Sequence, residues 1–447
     1  MRFRVTDIPE MLRTPVGRFL LLQAINYRAW PLTSLAARLY RMTIARHTRV
    51  IAVVGSFGKS TTLRAVCAAL GLPARPGMLG NAWSSVANAM LSIRPRQQRA
   101  ALEVGIAGLG QMEGYACTVR PNVTIVTSVG SEHQRSLGSL DVTRAEKAWM
   151  VRVLPASGTA ILNGDDPNVM WMRGQTLGRV ITFGLGESCD VSASELRLDW
   201  PHGTRFRLRA FGQEREVRIR LLGRHMVYPA LAAIAVSLRE GFPLDEALSR
   251  LESLPPTPGR MEPVALPGGV FILRDDFKST LETMDSALDL LAQIPARRIV
   301  LLGDVSEPPG RQRPIYQALG ERVARIGSYF VVIGNSFEAY RSGARRGGMP
   351  SSCIIDGGRT PRQAAEALVK LVQPGDVVLI KGRNAQMLDR VRLILEGRRV
   401  GCDIRFCNVR TLDCVHCPML KEGWDAHRII MREAEPGQAP QAVQVRP

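Results

Sequence analysis

One stretch near the start constrains this chain more than any other. The unbroken apolar run Val50–Val54 leads into GSFGKSTT at Gly55–Thr62, and a helical pattern over Ser60–Leu70 follows until Gly71 and Pro73 stop it. A buried strand feeding a glycine turn that opens a helix is the frame of a phosphate-cradling loop. The glycines let backbone N–H groups converge, and the helix N-terminus adds its partial positive charge. In such a loop Lys59 reaches the β- and γ-phosphates and Ser60 offers its hydroxyl to Mg²⁺. The spacing is shorter than the common G-x-x-x-x-G-K-[ST], because Val53 stands where the first glycine would be.

The 447 residues are too many for one ordinary core, so two or three domains are expected. Residues 1–48 are Arg-rich and acid-poor, and read as a basic arm of two amphipathic helices separated near Pro31. The arm either packs on the domain behind it or lies on a membrane surface as a peripheral contact. Residues 49–256 form a central domain, with further buried strands at Val123–Thr127 and Ala160–Asn163. Residues 204–222 alternate apolar and charged, which predicts a hairpin turning at Gly212–Gln213, and a helix follows over 227–240. A Pro-rich hinge spans Pro255–Gly259. Beyond it, strands near 270–275, 298–303, 329–334, 353–355 and 376–381 alternate with helices over 257–397, the pattern of a doubly wound parallel sheet. A four-cysteine element occupies 398–420, and the polar tail 421–447 is expected to be disordered. The fold class is therefore α/β: a P-loop central domain on a parallel sheet, followed by a Rossmann-like doubly wound domain.

The loop G-[ST]-x-G-K-[ST]-[ST]-T resembles that of the Mur ligase superfamily, which includes folylpolyglutamate and cyanophycin synthetases. Its members phosphorylate a carboxylate with ATP and let an amine displace the phosphate. Later segments keep the resemblance, most closely to the branch that adds D-Ala-D-Ala to a UDP-muramoyl tripeptide. The resemblance implies that Gly55, Ser56, Gly58, Lys59, Ser60 and Thr61 bind ATP, joined by Asn81 of the Gly80-Asn81 segment. It implies Mg²⁺ on Ser60 and on Glu103 of the EVG segment, a hard oxygen ligand as that ion prefers. In VTIVTSVGSEHQRSLGSLDVTRAEK, His133 falls at the second-metal histidine and Lys147 at a lysine carbamylated by CO₂. NGDDPN places Asp165 near the nucleotide. LLGRHMVYPALAA departs from the family, with Met226 and Pro229 in place of two asparagines that help read adenine. PGRME places Arg260 as a charge clamp on the transferring phosphoryl group, and RDDFKST offers Asp275, with Asp276 or Lys278 as neighbours. Gly303-Asp304 and Lys381-Gly382 resemble further motifs of the C-terminal domain.

Composition bears on the lysines. Lys and Arg number 59, yet only Lys59, Lys147, Lys278, Lys370, Lys381 and Lys421 are lysine. A guanidinium cannot lose its proton to form a carbamate, so a lysine kept at 147 in an arginine-biased chain carries information. The net charge of +19 comes from scattered residues with no recognition module, so no specific nucleic-acid partner is expected. Cys402, Cys407, Cys414 and Cys417 suit a structural Zn²⁺ site, with His416 as a substitute ligand; disulfides, unmetallated thiols and an iron–sulfur cluster are the alternatives. No apolar run reaches the ~18 residues of a membrane span and no cleavable leader is visible, so a cytoplasmic location is expected.

The sequence thus points to a Mg-ATP-dependent ligase forming an amide between a carboxylate acceptor and an amino acid or dipeptide amine, in peptidoglycan-type biosynthesis. Only about 50 residues precede the loop, too few for the UDP-sugar domain of cell-wall members. The alternatives are a ligase making a non-cell-wall peptide-like polymer or natural product, and a P-loop ATPase switch.

Overall fold

The computed structural model describes residues 5–73, 81–106, 108–131, 137–407, 409, 413–421 and 423. Among them the chain divides into two compact units, one of Asn26–Pro255 and the other of residues 5–25 with 256–423. Residues 5–48 are divided between the two units. Helix α1 (Ile8–Arg13) belongs to the second unit, α2 (Pro15–Arg28) straddles the division, and α3 (Trp30–Met42) belongs to the first. Pro31 sits in the first turn of α3, where a missing N–H leaves no bond unmade.

The first unit is built on β1 (Arg49–Val54), β2 (Arg99–Glu103), β3 (Val123–Val126), β4 (Thr159–Asn163), β5 (Arg179–Gly184), β6 (Val191–Asp199), β7 (Gly203–Ala210) and β8 (Gln213–Ile219). They form one sheet in the order β2-β1-β3-β4-β5-β6-β7-β8, parallel from β2 to β6 and antiparallel beyond. Around it lie α4 (Lys59–Ala69), α5 (Ser84–Leu91), α6 (Gln111–Val119), α7 (Leu140–Arg152), α8 (Pro167–Met170), α9 (Val227–Arg239) and α10 (Leu244–Glu252). The central strands β3 and β4 are buried along their whole length, which is why they read as continuous apolar runs. Strand β7 instead alternates buried and exposed positions. The β7–β8 turn is Phe211–Gly212, with φ of 48° and 81°, one residue earlier than expected. Two positive φ values mark the tight turn whose twist matches the strands, and Gln213 already pairs with Ala210.

The order places β1 between β2 and β3. The chain leaves β1 for β2 on one side and leaves β3 for β4 on the other, so the order reverses between β1 and β3, and open α/β sheets bind ligands at the carboxyl ends of such strands.

The second unit carries β9 (Glu262–Ala265), β10 (Phe271–Asp275), β11 (Arg298–Leu302), β12 (Tyr329–Val332), β13 (Ile354–Asp356) and β14 (Val377–Lys381). Their order is β13-β12-β11-β14-β10-β9, all parallel except the edge strand β9. Its later helices are α11 (Leu281–Ala292), α12 (Gln312–Ile326), α13 (Phe337–Arg346), α14 (Pro361–Val369) and α15 (Asp389–Leu395). Met11 and Leu20 of α1 and α2 close a small core with Ile404, Val409 and Met419. Among the described residues no helix is long and apolar enough to cross a membrane.

Candidate active site

The glycine turn lies directly after β1, where the strand order reverses. Gly55 has φ of 146° and Gly58 of 79°, conformations that side chains resist, and a Cβ on Gly55 would collide with the Thr127 hydroxyl. The turn is held from β3's end: Thr127 Oγ1 donates to the Phe57 carbonyl at 2.5 Å, and the Phe57 N–H donates to Ser128 Oγ at 2.9 Å. Ser56 Oγ accepts from the Gly130 N–H at 2.9 Å, and Thr61 is buried in the first turn of α4. Lys59 is buried, and its Nζ donates to the Gly55 and Ser56 carbonyls at 2.8 and 3.1 Å. Lys147, on α7, is buried too and donates to the same Gly55 carbonyl at 3.1 Å. Two amines that the sequence holds far apart thus converge on one oxygen.

Glu103 closes the group at the end of β2. Its two oxygens accept from Ser60 Oγ and from Asn81 Nδ2, each at 2.7 Å, and the residue is 1% exposed. A buried carboxylate beside a hydroxyl at the mouth of a phosphate loop is a donor set that suits Mg²⁺. His133 and Gly80 lie outside the described residues. Asp165 accepts from the Leu185 and Gly186 N–H groups at 2.5 and 2.9 Å and from the Tyr228 hydroxyl at 2.8 Å. Burial raises the Tyr228 pKa and the carboxylate adds to the shift, so the hydroxyl stays protonated and donating.

In the second unit, three neighbouring strands bring their carboxyl ends together. Asp275 ends β10 and pairs in register with Lys381, which ends β14, and Gly303-Asp304 follows β11. Lys381 is wholly buried; its Nζ lies 2.5 Å from Asp275 Oδ2 and 2.9 Å from the Lys278 carbonyl. Burial lowers the Lys381 pKa while Asp275 works against that shift. Asp276 is buried beside Arg274 at 2.9 Å, and burial pushes its pKa up to about 6. The Arg260 guanidinium stacks 4.4 Å from the Phe277 ring centre. At Asp304, Arg383 approaches within 3.8 Å, and both Arg383 and Arg405 stack on Phe406, at 4.4 and 4.8 Å. The Nε atoms of these two arginines are buried without a hydrogen-bond partner.

Residues 53–237 match the family model for the Mur ligase middle domain, and residues 259–384 match that for the Mur ligase, glutamate ligase domain. The chain belongs to the Mur ligase family. It is 31% identical over 388 residues to the UDP-N-acetylmuramoyl-tripeptide--D-alanyl-D-alanine ligase of Mycobacterium bovis, an alignment spanning 80% of this chain and 75% of that one. The Escherichia coli enzyme of the same name is 28% identical over 292 residues, 62% of this chain and 63% of its own. In fold, this Mur ligase is similar to a MurF crystal structure from Acinetobacter baumannii, with a TM-score of 0.74 at 24% identity over 83% of this chain and 81% of that one. It is also similar to Thermotoga maritima MurF solved with ADP, with a TM-score of 0.71 at 21% identity over 83% and 84%.

The cysteine element of this Mur ligase lies beyond residue 384, outside both family matches. Arg390, 1% exposed, holds it by donating to the Cys402 and Ile404 carbonyls at 3.1 and 2.6 Å, and the Cys407 N–H donates to the Ala385 carbonyl at 2.7 Å. Cys402, Cys407 and Cys417 border one small apolar cluster and Cys414 an adjoining one. All four are free thiols, and among the described residues no group of three or more His, Cys, Asp or Glu is arranged to hold a metal ion. Burial raises the Cys407, Cys414 and Cys417 thiols above their ordinary pKa, and the four side chains lie against the apolar residues packed around Arg390. Sequence reasoning also passed over Thr127, Ser128 and Tyr228. The Thr-Ser pair directly after a buried strand was the available signal for the first two; Tyr228 carries none.

Proposed function

We propose that this Mur ligase is an ATP-dependent carboxylate–amine ligase acting on a peptidoglycan precursor, with a muramoyl peptide as acceptor and a carboxylate-bearing amine such as D-Ala-D-Ala as nucleophile. The observation that carries the reading is the convergence of Lys59, Lys147 and the Ser60–Glu103 pair on the Gly55–Gly58 turn. The turn's N–H groups and Lys59 bind the triphosphate and orient its γ-phosphate for in-line attack by the acceptor carboxylate. Ser60 and Glu103 would hold Mg²⁺, which when bound neutralises phosphate charge. The amine then displaces phosphate from the acyl phosphate and leaves an amide.

Lys147 is the residue for carbamylation. Beside Lys59 on one carbonyl, an ammonium would repel its neighbour by about 3–4 kcal/mol at ~5 Å and an effective dielectric of roughly 20, whereas a carbamate would attract it. His133 and Arg260 keep, within the proposal, their roles as second-metal ligand and charge clamp. Asp165, through Tyr228, shapes the loop assigned to the nucleotide. For the amine's own carboxylate, Arg383 and Arg405, stacked on Phe406 beside Asp304, supply positive charge. Zinc on the four cysteines rests on their spacing and on N–H donation from Val409 to Cys407 and Met419 to Cys417, the pattern that steadies thiolate ligands.

Phosphate release measured with UDP-muramoyl tripeptide, D-Ala-D-Ala, both or neither tests the reading, with Lys59→Ala as control. A ligase needs both substrates, whereas release with neither would identify an ATPase switch. Release dependent on other acceptor and amine pairs would move the enzyme away from the cell wall.

A further inference from the structure

Helix α3 packs through one face only. Trp30, Ala37 and Tyr40 join the core of the first unit. The Tyr40 hydroxyl donates to the Ile93 carbonyl at 2.5 Å, and Arg41 is buried beneath the helix. On the other face Leu32, Leu35, Leu39 and Met42 are 75%, 56%, 55% and 47% exposed. At 100° per residue these four fall within an arc of roughly 80°, opposite the packed face. Tyr27 before the helix and Ile44 after it are 49% and 53% exposed. Elsewhere in the unit, exposed large apolar side chains such as Leu109, Trp171, Leu177 and Phe211 are scattered singly along the chain. A continuous stripe of this kind is a surface awaiting a partner.

The charge around the stripe says which partner. No acidic residue occurs between Glu10 and Glu103, although the whole chain holds 40. Arg28, Arg38 and Arg46 are exposed beside the stripe. A protein groove would be expected to meet some carboxylates at its rim, whereas an anionic lipid surface rewards an apolar ridge flanked by cations alone. The described residues contain no membrane-crossing helix, so the contact is with a surface and not a span.

We propose that the exposed face of α3 is a peripheral docking site for an anionic lipid bilayer, seated by Leu32, Leu35, Leu39 and Met42 and steered by Arg38 and Arg46. This inference stands apart from the ligase reading, since none of these side chains belongs to the phosphate-loop group. Co-sedimentation of the full chain with phosphatidylglycerol vesicles tests it, against phosphatidylcholine vesicles and across a salt series. Binding to the anionic vesicles, weakened by salt and reduced about tenfold or more in Leu35→Glu/Leu39→Glu, is the expected result. Both leucines are exposed, so the variant should keep the wild-type circular dichroism spectrum. Arg38→Gln/Arg46→Gln provides a second variant that should lose salt sensitivity before it loses binding. No pelleting with anionic vesicles, or equal pelleting with neutral ones, would overturn the proposal. So would self-association in sedimentation velocity that Leu35→Glu/Leu39→Glu abolishes, which would make a second copy the partner.

Discussion

The Asp275–Lys381 pair can be tested by removing its carboxylate. In Asp275→Ala the Lys381 ammonium, wholly buried, keeps the Lys278 carbonyl at 2.9 Å as an acceptor but loses its carboxylate partner. At 2.5 Å and an effective dielectric near 20 the gross attraction is about 7 kcal/mol, most of it already offset by the desolvation of both groups. What the substitution exposes is that uncompensated desolvation, about 3–5 kcal/mol at pH 7. The amine can escape part of it by giving up its proton. Burial already holds the Lys381 pKa below its ordinary value, and losing Asp275 lowers it further. A lysine whose folded pKa is depressed binds fewer protons folded than unfolded. Stability therefore rises with pH between the folded pKa and the unfolded value near ~10.4, and the variant's deficit should shrink towards that end. Urea unfolding followed by circular dichroism at pH 7 to 10, with hydrogen exchange at β14 to localise the change, measures both effects. Asp275→Ala/Lys381→Met should recover most of the loss. A deficit below about 1 kcal/mol, or one that is flat with pH, would refute the reasoning.

Three further outcomes are expected. Lys59→Ala should cut substrate-dependent phosphate release by about 10³-fold or more with the fold intact by circular dichroism, since it removes a charge from the developing transition state. Gly55→Ala should abolish the same activity because its Cβ meets Thr127; near-normal turnover would contradict the tight-turn account. Asp276, pushed up to about 6 by burial, binds a proton more readily folded than unfolded, so its contribution is full below pH ~4 and lost as pH rises through 6. Wild type minus Asp276→Asn in urea should show that slope, on the order of 2–3 kcal/mol, and no slope would mean the carboxyl stays ionised.

The legible parts of the sequence were those where one local rule decides. Val50–Val54 with its glycine turn announced β1 and α4, because a continuous apolar run before Gly-Lys-Ser has few other uses. Strand β9 was missed because Pro263 and Glu262 do not read as a strand; it survives as a short antiparallel edge, where a missing N–H can face solvent. Strand β6 was missed since its second half is polar and half-exposed. The phosphate-loop group was legible through motif spacing, yet its bracing by Thr127 and Ser128 depends on which strands become neighbours. The hairpin turn was displaced by one residue because backbone twist, not the glycine alone, sets where a ladder ends. The four thiols show the limit of spacing as an argument. It indicates that they meet in one region, but not that a buried arginine holds that region through the Cys402 and Ile404 carbonyls.

Arg41 has a consequence for how the first unit could work at a surface. Its guanidinium reaches the Val119, Arg120 and Ala45 carbonyls and the Asn122 side chain, which in turn accepts from the Val50 N–H. The last turn of α3 is thereby tied to the amino-terminal rim of the sheet, whereas in its first turn Trp30 packs on Trp83 and Tyr115, 6.1 and 5.3 Å between ring centres. The glycine turn opens at the far rim, a six-residue strand away, about 20 Å. Trp83 is only two residues from Asn81, which holds Glu103, so the helix runs beside the strands from one rim to the other and a surface held along its exposed face would lie along the flank of the unit.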